Sequence, residues 1–74
     1  MRLKELREDN DFTQEQIAIL LNCKRNTYSQ YENEVRQIPI EALIKLSRFY
    51  KTSVDYILEE TDESKPYKRS EKNS

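Results

Sequence analysis

The chain has 74 residues, 36% of them charged and 35% hydrophobic, with 13 Lys and Arg against 14 Asp and Glu, no His, and a net charge of −1. At roughly 150 residues per domain this is one small domain, and because such a chain buries only about 60 to 65% of the surface it exposes unfolded, a large enclosed pocket is excluded. A single Cys without His supplies no internal disulfide, zinc ligand set or nucleophile pair, the absence of Gly removes phosphate-cradling loops, and no apolar run approaches the roughly 18 residues of a membrane span.

The N-terminus lacks the apolar core of a signal peptide, so the expected protein is cytoplasmic, with no membrane association, no cofactor, no metal and no enzymatic activity. Apolar positions then recur at helical spacing, with interruptions every eight to twelve residues or so. A first helix from about Arg2 to Asp9 carries Leu3 and Leu6 on one face and leads into the turn-like Asn10-Asp11. Thr13-Gln14-Glu15-Gln16 matches a capping box, with the Thr hydroxyl accepting from the amide three residues on and the Gln16 side chain reaching back; Phe12 is the apolar residue flanking that cap. Ile17, Leu20 and Leu21 form the buried stripe of helix 2, and Asn22 tolerates the left-handed conformation that ends a helix.

A third helix is expected from Lys24 or Arg25 to Glu32, with Tyr28 and Tyr31 facing inward as core residues. Pro39 suits the first turn of a fourth helix running to Tyr50, whose packed stripe reads Ile40, Leu43, Leu46, Ser47 and Tyr50. Ser53 caps a short fifth helix carrying Val54, Ile57 and Leu58. Hydrophobic residues stop at Leu58, with only Tyr67 beyond it. The chain therefore divides into a compact domain, residues 1–60 with a charge of −2, and a disordered tail, residues 61–74, whose four cations against three acids leave it at +1. The fold class is all-α, with five short helices.

Helix 2, a short break and helix 3 make an arrangement in which one helix is held across another and presented to solvent. Residues 1–58 resemble the phage-repressor/Cro-type helix-turn-helix family, above all in Thr13-Gln14-Glu15-Gln16-Ile17-Ala18 and Asn26-Thr27-Tyr28-Ser29-Gln30-Tyr31-Glu32-Asn33. Ile40 to Leu46 and Ser53 to Leu58 are similar to that family's fourth and fifth helices. Ala18 supports the reading independently, because two helices crossing at a tight turn need a small residue where their backbones approach. Cys23 falls inside the turn and reads as a buried packing thiol.

The resemblance implies a sequence-specific DNA-binding transcriptional regulator, a repressor, that places helix 3 in the major groove of a double-stranded operator as a homodimer. It implies that Gln14 meets a backbone phosphate, that Arg25, Asn26 and Gln30 read base edges, and that Lys24, Thr27, Ser29 and Asn33 lie close to phosphates or bases. Arg36 and Gln37 follow as further backbone contacts, and Arg7 and Glu32 as an ion pair between helix 1 and the end of helix 3. The residue types agree with such roles, since Arg pairs in two places with guanine and Asn or Gln with adenine. Three departures stand out. Asn22 and Glu34 occupy positions where the family often has Gly, and Glu34 implies a remodelled loop; Lys24 stands where Ser or Thr would cap helix 3; and the net charge is slightly acidic where a DNA binder is expected to be basic. The acids Glu5, Glu8, Asp9 and Asp11 cluster on helix 1 and its exit, away from Lys24 and Arg25. Two alternatives stay open: an antitoxin or phage-type switch with a protein partner, and an interaction module that kept the fold without DNA binding.

Overall fold

The structure, a computed structural model, describes residues 1–64. The elements are α1 (Leu3–Asp9), α2 (Gln14–Leu20), α3 (Arg25–Glu32), α4 (Ile40–Phe49) and α5 (Val54–Ile57), and the described residues include no strand. The all-α class with five short helices is thus the observed one. Of the tail expected from residue 61, the part from 65 to 74 lies outside the described residues.

Two of the helix starts follow directly from local chemistry. Thr13 Oγ1 accepts from the Gln16 amide at 3.1 Å while Gln16 Oε1 accepts from the Thr13 amide at 2.8 Å, so two of the otherwise orphaned amides of α2 are satisfied reciprocally. Ser53 Oγ does the same for the Tyr56 amide at the start of α5. The fourth helix departs from the sequence expectation by one residue: Pro39 is its N-cap, with extended backbone, rather than a member of its first turn. Ile40, placed on the packed stripe by spacing alone, is the first residue of the helix and 57% exposed, whereas Leu43, Leu46 and Ser47 are buried as expected.

All five helices stop in one way, without a glycine. Asp11, Asn22, Glu34, Lys51 and Glu59 each take the left-handed conformation, with φ between 57 and 65°. At each of them the residue's own amide and the next one bond back into the last turn, as with Asn22 to the Ile19 carbonyl (3.0 Å) and Cys23 to the Ala18 carbonyl (2.9 Å), or Lys51 to Arg48 (3.2 Å) and Thr52 to Ser47 (2.8 Å). Asn and Asp bear this conformation best, and a residue with a longer side chain costs roughly 1 to 2 kcal/mol there. Glu34 therefore corrects the expected remodelling of its loop: the turn keeps the left-handed geometry and carries the side chain regardless, with the Glu34 and Val35 amides bonded to Tyr31 and Gln30.

The core is small. Leu3, Ile17, Ala18, Tyr28, Tyr31, Ile38, Leu43, Leu46 and Ile57 are buried, with Leu6, Phe12, Leu20, Leu21 and Tyr50 packed partly against them. Full burial of each aliphatic member contributes about 1.5 to 3 kcal/mol. Ala18 is 2% exposed where α2 meets α3, the close approach that its small side chain permits. Cys23 is half-buried rather than enclosed, and burial pushes its thiol above the usual range, away from the reactive thiolate. Arg2 ties the start of the chain to α5 and the residues that follow it: its backbone amide bonds the Ile57 carbonyl (2.8 Å), its Nε the Tyr56 carbonyl (2.9 Å), and its Nη2 the Thr61 carbonyl (3.3 Å) and Asp62 (2.9 Å), with the guanidinium over the Tyr56 ring. Thr61 and Asp62, assigned to the tail by composition, thus contact the domain.

Candidate nucleic-acid interface

The inward side of α3 is defined by Tyr28, 0% exposed, and Tyr31, 8% exposed. With about 100° of rotation per residue, Asn26, Gln30 and Asn33 then fall on the opposite side, with Ser29 beside them. Lys24, Arg25, Asn26 and Asn33 are exposed, while Thr27, Ser29 and Gln30 are half-buried on the flanks. The structure therefore brings Lys24, Arg25, Asn26, Thr27, Ser29, Gln30 and Asn33 onto one presented helix, and places Arg36 separately, exposed in the loop before α4. Between Glu15 and Glu32 the chain contains no acidic residue, so Lys24 and Arg25 stand on this helix with no acid among its exposed side chains, although the whole chain is slightly acidic.

Lys24 is the N-cap of α3 and makes no capping hydrogen bond, and the first turn of the helix holds no acidic side chain. The amides at this end consequently find no side-chain acceptor at the cap, a condition that favours an approaching anion. Two cations, Lys24 and Arg25, stand where the helix dipole disfavours them by roughly 0.3 to 1 kcal/mol each.

Behind the exposed face lies a polar cluster. Arg7 on α1 donates to Glu32 on α3 from Nε to Oε2 at 2.6 Å and from Nη2 to Oε1 at 3.2 Å, and its Nη1 donates to the Phe12 carbonyl at 2.9 Å. The Glu32 side chain is 2% exposed, so this is an enclosed, two-point ion pair. Gln14, the first residue of α2, donates from Nε2 to Glu32 Oε1 at 3.1 Å and accepts at Oε1 from Arg25 Nη1 at 3.4 Å. Burial pushes the Glu32 carboxyl up, but the donors, Arg7 first among them, more than offset it and hold the group below the usual carboxylate range. Burial, with the Glu32 charge added, raises the Tyr28 phenol well above its ordinary value and the Tyr50 phenol to about 12. Neither hydroxyl has a partner at hydrogen-bonding geometry, although Tyr28 lies close enough to Glu32 to be affected by its charge.

Spacing along the sequence did not reveal two of these features. The resemblance assigns Gln14 to a phosphate, and in the structure its amide is also engaged on both sides by partners 18 and 11 residues away, beyond any local signal. Arg2, which spacing marks as no more than the start of α1, makes bonds that reach 54 to 60 residues along the chain. Among the described residues no group of His, Cys, Asp and Glu could hold a metal ion, and no helix is long and apolar enough to cross a membrane.

Residues 3–57 match the model of the helix-turn-helix family. The chain is 40% identical over 65 residues to an uncharacterized HTH-type transcriptional regulator of Bacillus subtilis, YobD, covering 88% of this chain and 58% of that one. It is 41% identical over 64 residues to the B. subtilis HTH-type transcriptional regulator ImmR, covering 86% of this chain and 50% of that protein. A more distant relative, 26% identical over 61 residues, is the Vibrio cholerae cryptic phage CTXphi transcriptional repressor RstR, with 82% of this chain and 55% of the relative covered. The chain thus spans about half the length of these curated relatives. No solved structure matches it.

Proposed function

Since the chain belongs to the helix-turn-helix family, we propose that it is the DNA-binding unit of a transcriptional regulator, a repressor, that reads an operator by setting α3 in the major groove. The observation that carries this reading is the presented face of α3: a polar, acid-free surface fixed in orientation by two buried tyrosines and beginning at an N-terminus whose cap residue offers no acceptor. Arg25, Asn26 and Gln30 are the base-reading side chains, because their donors and acceptors match guanine and adenine edges. Gln14, Lys24, Thr27, Ser29, Asn33 and Arg36 hold phosphates or flank the bases, which sets position without conveying sequence. The relatives' names, two HTH-type transcriptional regulators and a phage repressor, support the same assignment.

An eight-residue helix spans only a few base pairs, so the working form on DNA is a homodimer on two half-sites about 34 Å apart. Exposed Val35, Ile40 and Leu58, with the unlike charges of Arg36 and Glu41 beside Ile40, leave apolar surface available for contact between copies. The protein acts in the cytoplasm, without cofactor or catalytic step. Selection of bound duplexes from a random pool tests the proposal: a two-fold symmetric consensus is expected, and recovery of unselected sequence would overturn it. On that consensus, Gln30→Ala should relax preference at one base pair by about 1 to 3 kcal/mol, whereas loss of a phosphate contact, as in Lys24→Ala, weakens binding to all variants.

A further inference from the structure

Arg25 occupies an awkward place, the first residue of a helix whose dipole repels a cation, on a side chain with many rotamers. A reader of base edges in that position gains from being aimed before DNA arrives, since ordering a long side chain on binding is costly. Its guanidinium has one side-chain partner. It donates to Gln14 Oε1 at 3.4 Å, and the other end of that amide donates to Glu32 Oε1 at 3.1 Å. Glu32 lies seven residues, two turns, beyond Arg25 on α3, so the side chain that bridges them belongs to the neighbouring helix α2.

The chemistry of the two flanking groups leaves Gln14 one orientation. A carboxylate only accepts and a guanidinium only donates, so the amide must turn its NH2 to Glu32 and its oxygen to Arg25; a flipped amide would oppose two acceptors on one side and two donors on the other. The carboxylate is in turn clamped at both oxygens by Arg7 and is 2% exposed, which leaves it no freedom to swing. We infer that Glu32 is a positioning residue for base recognition: through Gln14 it orients the Arg25 guanidinium, so that the buried ion pair with Arg7 serves specificity as well as stability. The inference rests on the proposed reading of bases by Arg25.

The test measures discrimination, the ratio of affinities for the duplex selected by the parent protein and for its single base-pair variants, with folding followed in parallel by circular dichroism. Loss of stability lowers the amount of competent protein equally for every duplex and leaves that ratio alone. Glu32→Gln should lower discrimination at the base pair read by Arg25 by about fivefold, part of the value of one side-chain-to-base contact, and leave discrimination at the Gln30 position unchanged. In an Arg25→Ala background Glu32→Gln should have no further effect at that pair, since there is nothing left to aim. Because Glu32→Gln strains the ion pair, Gln14→Leu provides a second route: it leaves Arg7 and Glu32 joined, and should produce the same local loss of discrimination in addition to a uniform fall in affinity.

The outcomes separate the two claims. If Arg25→Ala leaves every preference intact, base reading by Arg25 fails and the positioning role with it. If Arg25→Ala relaxes one base pair while Glu32→Gln and Gln14→Leu change all duplexes alike, base reading stands and the positioning role is overturned.

Discussion

Removal of one member of the Arg7–Glu32 pair should be far more damaging than removal of both, and loss of Arg7 should reverse the pH dependence that Glu32 contributes to stability. Arg7→Met leaves a carboxylate that is 2% exposed with Gln14 as its remaining side-chain hydrogen-bond donor, and an unpaired buried charge of this kind costs about 3 to 5 kcal/mol. Arg7→Met with Glu32→Met replaces the pair by apolar volume, and such exchanges are often close to neutral. The cycle formed by the two single variants and the double variant should therefore give a coupling free energy of about 2 kcal/mol or more in urea unfolding, well beyond the few tenths that independent sites show. The parent holds the Glu32 carboxyl below its unfolded value, so its contribution is fully present above the ordinary carboxyl range, about 4.3, and is lost as pH falls through the lower folded value. In Arg7→Met the largest of the groups that offset burial is gone, and the folded value should rise above the unfolded one. That variant should gain stability on acidification from neutrality towards the ordinary carboxyl range, where the parent gains none from this group. Strict additivity, or parallel pH profiles for parent and Arg7→Met, would refute the coupling.

Lys51 is exposed at φ 57°, and Lys51→Gly should stabilise by about 0.5 to 1 kcal/mol, the relief of the left-handed penalty less the added freedom of the unfolded chain, raising Tm by about 3 to 6 °C; Lys51→Ala, which keeps the Cβ, should bring no such gain. Lys24→Ser should restore an acceptor cap on α3 and stabilise the free domain by about 0.5 to 1.5 kcal/mol, while weakening operator binding and lowering its salt slope by about one phosphate contact; unchanged affinity and slope in a salt titration would count against a phosphate role for Lys24. Arg2→Met should free the end of the domain by removing the side chain's bonds to Tyr56, Thr61 and Asp62, at about 1 kcal/mol, with hydrogen exchange accelerated in α5 but not across α2 and α3. Uniform acceleration over all helices would show instead that Arg2 supports the whole core.

What the sequence determined by itself was whatever acts within a turn or two of helix. The capping box at Thr13 and Gln16, the left-handed Asn22, the Ser53 cap and the inward pair Tyr28 and Tyr31 depend on neighbours no more than a few residues away, and all appear in the structure where local chemistry puts them. The exposed polar set on α3 follows from the same periodicity once the tyrosines are fixed, and Arg7 with Glu32 was indicated by family resemblance rather than by any pattern of spacing. Only the tertiary structure decided the rest. Ile38, in a loop with no periodicity to mark it, is buried, while Ile40, on the expected stripe, is exposed at the first position of α4. Glu34 takes a conformation its side chain disfavours because the two amides that close α3 need it there. Gln14 is turned by Glu32 and Arg25 on separate turns of α3, and Arg2 closes the domain on Tyr56, Thr61 and Asp62. Hydrogen bonds between groups far apart in sequence leave no local signature, since the direction of a side chain is set by the helix beneath it and its partner by how the helices pack.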